Sequence, residues 1–191
     1  MTKDLLHSDE IKDLVRRAYR SIDGDTSAVA RVLYDSDQLE GLPAESLRRA
    51  LGVGNHLRFA SLSAGDVVLD VGCGAGIDSI LAARRVGSTG RVIALDFLPE
   101  MLEHTEAAAR SAGLDNVDAL EGEMESIPLP DDSVDEVISN GVINLSPRKA
   151  RALAEIARVL RPDGGLCVSD LTIDENALPP EVLTHPAAWA G

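Results

Sequence analysis

Two hydrophobic periodicities divide the chain. From residue 9 to residue 34 the apolar positions recur at helical spacing. Ile11, Leu14, Val15 and Ala18 make one stripe, and Ala28, Val29, Val32 and Leu33 a second, after the break SIDGDTS. Two short helices are predicted there. A polar stretch punctuated by Gly41, Pro43, Gly52 and Gly54 follows, around a helical segment near Glu45 to Leu51. From Asp66 the pattern changes to short apolar runs. DVVLDVG, RVIALDF, VDALEGE, VDEVISN and GGLCVSDLT predict five strands, with helices over 78–86, 99–112 and 147–160. That alternation implies an α/β fold, a mostly parallel sheet with right-handed crossovers and helices on both faces.

Length and charge narrow the partners. A chain of 191 residues, 45% apolar, suits one ordinary domain with a real core. The net charge of −14 repels phosphate backbones and anionic membranes, so neither nucleic acid nor a membrane is expected as a partner. No apolar run reaches the length of a membrane span and the start MTKDLLHSDE is no signal peptide, so a cytoplasmic location is expected. Cys73 and Cys167 are too few for a disulfide framework or a structural zinc site and read as reduced, packed residues. The scattered His7, His104 and His185 suggest no metal site, and the acids from Asp115 to Glu136 read as a solvated surface.

The candidate chemistry lies at successive strand ends. The first predicted strand runs into Asp70-Val71-Gly72-Cys73-Gly74-Ala75-Gly76 and then a helix. Glycines let that turn approach a ligand closely, and the helix start offers free N–H groups to an anion. A dinucleotide fingerprint would need glycine at position 77, which is Ile77; a nicotinamide dehydrogenase is therefore disfavoured. Asp96 closes the second strand, where a carboxylate can accept from two ribose hydroxyls. Glu123 and Met124 follow the third strand, where an acid, a backbone N–H and the flanking Phe97 or Met124 would suit an adenine ring. Together these residues form a nucleoside site along the carboxyl edge of the sheet.

The segments VLDVGCGAGIDSILAARRVGSTGRVIALDFLPEML, GEMESIPLPDDSVDEVISNGVINLSP and RVLRPDGGLCVSD resemble class I S-adenosylmethionine-dependent methyltransferases. More narrowly they resemble the arsenite methyltransferase family, with ISNGVINLSP the most specific mark. The resemblance implies a Rossmann-like methyltransferase domain over 61–191 and a helical extension over 1–60 that covers the site of S-adenosylmethionine. It implies that Gly72, Gly74 and Gly76 wrap the methionine part with Asp70 near its amino group. Asp96 would take the ribose, Glu123 and Met124 the adenine, and Asn140 would stand beside the sulfonium. Tyr19 matches an aromatic position of a cofactor-covering motif.

Departures from the family pattern are as informative. Members hold trivalent arsenic through cysteine thiolates, soft ligands for a soft centre. The matched positions here are Gly141 and Val53, and a third family cysteine would lie just beyond the segment Trp189-Ala190-Gly191, where this sequence stops. The acceptor expected is a small molecule: arsenite, or alternatively an organic nucleophile assisted by Asn140, Asn144 or His56, the last expected to be an exposed loop residue. A non-catalytic cofactor-binding or oligomerisation module is the third alternative. About twenty residues follow Asp170, too few for the strand pair that usually completes this fold. The fifth strand is then expected to be a bare edge, covered by a second copy of the chain or by a continuation beyond residue 191.

Overall fold

The structure, a computed structural model, describes residues 8–21 and 24–172. Its centre is a five-stranded sheet of β1 (Val67–Val71), β2 (Arg91–Asp96), β3 (Val117–Glu121), β4 (Val134–Asn140) and β5 (Leu160–Ser169). The strand order is β3-β2-β1-β4-β5 and every pairing is parallel. Order reverses between β1 and β2 on one side and β4 on the other, which opens a crevice above the carboxyl end of β1.

The alternation of side chains assigns the two faces. Val68, Val92 and Ile138 pack with Ala82, Ala83 and Val86 of α5 (Ile77–Val86). Ala94 of the same face meets Leu102 of α6 (Pro99–Ser111). Leu69, Val71, Ile93, Leu95 and Val137 point the other way, onto Ile156 and Val159 of α7 (Lys149–Val159). Helices thus cover both faces, as the sequence implies. Fully burying each of these Val, Leu or Ile side chains contributes roughly 1.5–3 kcal/mol, which fixes the strand register.

The N-terminal segment adds α1 (Ser8–Ser21), α2 (Ser27–Leu33), α3 (Ser36–Leu39) and α4 (Ala44–Arg48). The two helices predicted over 9–34 are α1 and α2; the short α3 is not evident in the hydrophobic pattern. Ala30, Tyr34, Leu42 and Ala50 from this segment form a cluster with Ile77 and Ile80 of α5 and Ala108 of α6.

Two expectations change. Leu160 begins β5 instead of ending α7, because pairing resumes at Val134↔Leu160 and then skips to Glu136↔Gly165. The turn-like RPDG is absorbed in that irregularity, with Asp163 at φ 68°. Glu136 is not solvated: it is 5% exposed, accepts from the Ser61 amide and has its carboxyl pKa raised by burial. The expected absence of a closing strand pair concerns residues after 172 and lies outside the described residues.

Candidate functional site

The chain leaves β1 through a loop of left-handed glycines, Gly72 at φ +76°, Gly74 at +53° and Gly76 at +84°. Only glycine occupies such angles cheaply, and a Cβ at Gly72 would also fall 2.5 Å from Val142 Cγ1. The amides of Gly72 and Cys73 donate to the Leu95 carbonyl at 2.8 and 3.0 Å. Gly74 N–H donates to Asp96 Oδ2 at 3.1 Å, while Asp96 Oδ1 accepts from Leu98 N–H at 3.0 Å. Asp96 therefore ties the end of β2 to the loop above β1. Burial raises its carboxyl pKa, and these backbone donors oppose that rise.

Above the loop lies a cleft open to solvent. Of the residues singled out in the sequence, Tyr19, Gly72, Gly74, Asp96, Phe97, Met124 and Asn140 line it. Asp70, Gly76 and Glu123 do not. Asp70 is buried beneath the loop and accepts from Ser79 Oγ; burial, with the charge of Asp78 adding to it, raises its carboxyl to about 8. Gly76 turns toward α6, where an added Cβ would lie 2.9 Å from Thr105 Oγ1. Glu123 faces a smaller adjoining hollow and pairs with Lys12 of α1 at 2.5 Å.

Helix α1 roofs the cleft. Val15 is buried against Leu145, with Tyr19 and Phe97 packed beside it. The Arg16 guanidinium stands 5.4 Å from the centre of the Phe97 ring, a cation–π contact. Arg20 pairs with Glu100 at the start of α6. Burial first, and then the negative charges of Asp96 and Asp170, push the Tyr19 phenol up to about 12, so the roof contributes a neutral hydroxyl.

The three residues considered for catalysis have structural settings. Asn140 is fully engaged: its Oδ1 accepts from Val53 and Gly54 amides at 2.9 and 3.2 Å. Its Nδ2 lies 3.0 Å from Asp78 Oδ2, 2.9 Å from the Gly54 carbonyl and 3.1 Å from the Tyr34 hydroxyl. Tyr34 in turn donates to Asp78 Oδ1 at 2.8 Å. Asn140 thus clamps the 52–54 segment to α5 and to the end of α2. A Cβ at Gly52 would lie 2.5 Å from Asn140 Nδ2, which is why glycine stands there.

Asn144 does not line the cleft; its backbone N–H donates to Asp170 Oδ2 at 3.0 Å and its side-chain Oδ1 is buried without a partner. His56 is 2% exposed, against the expectation of an exposed loop residue. Its polar sequence neighbours conceal the reason: the short turn His56–Arg58 packs against β4 and β5, with Leu57 in the core. Neither ring nitrogen has a hydrogen-bond partner, and burial lowers the imidazole pKa.

Tyr34, Arg49 and Asp78 also line the cleft and were not picked out in the sequence. Asp78 carried a signal, an acid in the first turn of the helix that follows the glycine loop. Tyr34 and Arg49 carried none, since only tertiary packing brings α2 and the 49–52 segment over α5.

Both cysteines are held as thiols. Cys73 packs with Ala94 and Leu102, and Cys167 Sγ donates to the His56 carbonyl at 3.1 Å; burial raises both pKa values. Positions 53 and 141 are neighbours, for a Cβ at Gly141 would lie 3.0 Å from Val53 Cγ1. Among the described residues no group of three or more His, Cys, Asp or Glu is arranged to hold a metal ion.

The methyltransferase-domain family matches residues 62–190. The chain belongs to that family. It is 38% identical to an arsenite methyltransferase of Halobacterium salinarum over 87% of its own length and 42% of that relative's. It is 36% identical to a demethylmenaquinone methyltransferase of Listeria welshimeri, over 60% of the chain and 48% of the relative. Among solved structures, an arsenic(III) S-adenosylmethionine methyltransferase from Chlamydomonas reinhardtii superposes with TM-score 0.68 at 36% identity, over 92% of this chain and 54% of that one. The chain therefore spans about half the length of these relatives. Its fold is the Rossmann-like class I methyltransferase fold, close to that of the arsenite methyltransferases, and the cofactor of such domains is S-adenosylmethionine.

Proposed function

We propose that the chain binds S-adenosylmethionine in the cleft above β1 and transfers its methyl group to a small-molecule acceptor. The observation that carries this reading is the Gly72–Gly74 loop joined to Asp96 through the Gly74 amide at the cleft wall. The fit is good: a Cβ added at Gly74 would meet nothing within 4 Å, so bare backbone is available to a ligand. Asp96 stands where ribose hydroxyls would donate, and Phe97 and Met124 supply apolar surface for an adenine. When bound, the cofactor supplies an electrophilic methyl on a sulfonium. The chain's part is to hold it, to exclude water with α1, and to orient an acceptor within about 3–3.5 Å of the methyl carbon.

Residues 1–60 act as the helical cover and 61–191 as the methyltransferase domain in this reading. Support comes from the packing of α1 on Phe97 and Leu145 and from the family match beginning at residue 62. Asp70 and Gly76 act from beneath the loop, and Asn140 positions the segment over the cleft.

The acceptor divides the reading. Arsenite is favoured by the 38% identical relative and by the Chlamydomonas structure. An organic nucleophile is favoured by Val53 and Gly141, neighbours that offer no thiolate, since a Cβ at Gly141 would lie 3.0 Å from Val53 Cγ1, and by the two protonated cysteines. S-adenosylhomocysteine release is measured with S-adenosylmethionine, thiol and trivalent arsenite against a control without arsenite. Arsenite-dependent release is the expected result; cofactor binding with no such release would move the proposal to an organic acceptor. Asp96→Ala should weaken cofactor binding by about 1.5–3 kcal/mol, and unchanged affinity would remove Asp96 from the ribose site.

Among the described residues no helix is long and apolar enough to cross a membrane, in keeping with a cytoplasmic setting. At the sheet edge β5 exposes Leu166 and Val168, with Leu171 beyond it. Pairing with a second copy along that edge is supported by these exposed apolar groups; sedimentation of a monomer would dismiss it.

A further inference from the structure

We infer that Arg49 and Asp78 form a charge-complementary pair that reads the zwitterionic amino-acid end of the cofactor, Arg49 its carboxylate and Asp78 its ammonium. The inference rests on the reading that the cleft takes S-adenosylmethionine.

Arg49 is the one cationic side chain lining the cleft among the described residues. The carboxylates that line it are Asp78 and Asp96, on different sides of the glycine loop. Asp96 is already bound to the loop amide on the β2 side. Asp78 belongs to the opposite end, through Tyr34 and Asn140.

Arg49 belongs to that second end as well. The segment from Arg49 to Gly52 lines the cleft continuously, and Gly52 is packed on Asn140, whose amide is 3.0 Å from Asp78. Three residues span at most about 11 Å, and Ala50 turns back into the cluster formed by Tyr34 and Ile77, the residue before Asp78. The guanidinium is steadied by Glu45, whose Oε1 accepts from Arg49 Nε at 2.7 Å. That bond leaves both terminal nitrogens for a planar, bidentate anion such as a carboxylate.

Asp78 uses one oxygen for Tyr34 and the other for Asn140, and each carboxylate oxygen can accept again. Those two neutral donors fix its orientation without neutralising it. The result is an oriented anion and a cation at one end of the cleft, matching an α-amino acid in both signs.

The test compares two ligands on the intact chain by calorimetric titration. S-adenosylhomocysteine carries the amino-acid end; 5′-methylthioadenosine has the same adenosine and thioether but lacks it. Arg49→Ala is expected to weaken S-adenosylhomocysteine about tenfold or more, the scale of a charged hydrogen bond, and to leave 5′-methylthioadenosine within about twofold. Arg49→Lys should fall between Ala and wild type for the first ligand only.

Unchanged S-adenosylhomocysteine affinity in Arg49→Ala would overturn the inference while leaving the cofactor reading in place. Equal loss for both ligands would also overturn it, since it would make Arg49 a support of the wall. Failure of the wild-type chain to bind either ligand would overturn the cofactor reading itself, and the inference with it.

Discussion

At the scale of single residues, Asp70 shows how the site trades against stability. It is 2% exposed beneath the glycine loop, and burial together with the charge of Asp78 raises its carboxyl to about 8. In the unfolded chain the same group titrates near 3.9. Between those values the folded state retains a proton that the unfolded state has released, so each step up in pH favours unfolding. In the ligand-free chain Asp70 therefore makes a contribution to stability that is lost as pH rises from about 4 toward 8. Asp70→Asn should flatten that slope in a series of thermal melts, and an unaltered slope would show that Asp70 is ionised in the folded chain. The sequence pointed to Asp70 from its place before the glycines but not to its burial. The same limit applies to His56, where the loop-like Gly54 and Asn55 before it disguise a side chain enclosed by distant strands. Tyr34, Asp78 and Asn140 are 44 and 62 residues apart along the chain, and no local spacing announces their network.

Among the elements, α1 carries the clearest separable contribution. It is held to the sheet domain by the burial of Val15 against Leu145, by Arg16 over Phe97, and by the ion pairs Lys12–Glu123 and Arg20–Glu100. Exposed ion pairs contribute roughly 0–1 kcal/mol each, so the apolar contact decides whether the roof stays shut. Val15→Ala removes two methyl-sized groups, about 1.6 kcal/mol at ~0.8 kcal/mol each. Amide exchange in α1 should accelerate by about tenfold while β1 and β4 keep their protection; unchanged exchange would show that the ion pairs hold the roof. The helical stripe that contains Val15 was legible from spacing alone, as were the five strands, because each buries a face with its own period. The start of β5 was not legible. Its first residues pair with β4 across an irregularity that admits Arg161-Pro162-Asp163-Gly164, a string that reads locally as a turn.

For the molecule as a whole, charge is the property that reaches furthest. The net charge of −14 surrounds a cleft whose lining, among the described residues, holds Asp78 and Asp96 against Arg49. S-adenosylmethionine has a net charge of +1, from its sulfonium, ammonium and carboxylate, whereas S-adenosylhomocysteine is neutral. The protein's field should then draw in the substrate form and be indifferent to the product. Screening tests this directly, because the Debye length shrinks from about 30 Å at 0.01 M salt to about 8 Å at 0.15 M. Across that range the association rate of S-adenosylmethionine, followed by stopped-flow fluorescence of Tyr19 and the other cleft aromatics, should fall several-fold. The rate for S-adenosylhomocysteine should change far less. Equal salt dependence for the two would mean that the cleft tells the sulfonium from the thioether by contact within the site, with the acidic surface serving solubility alone.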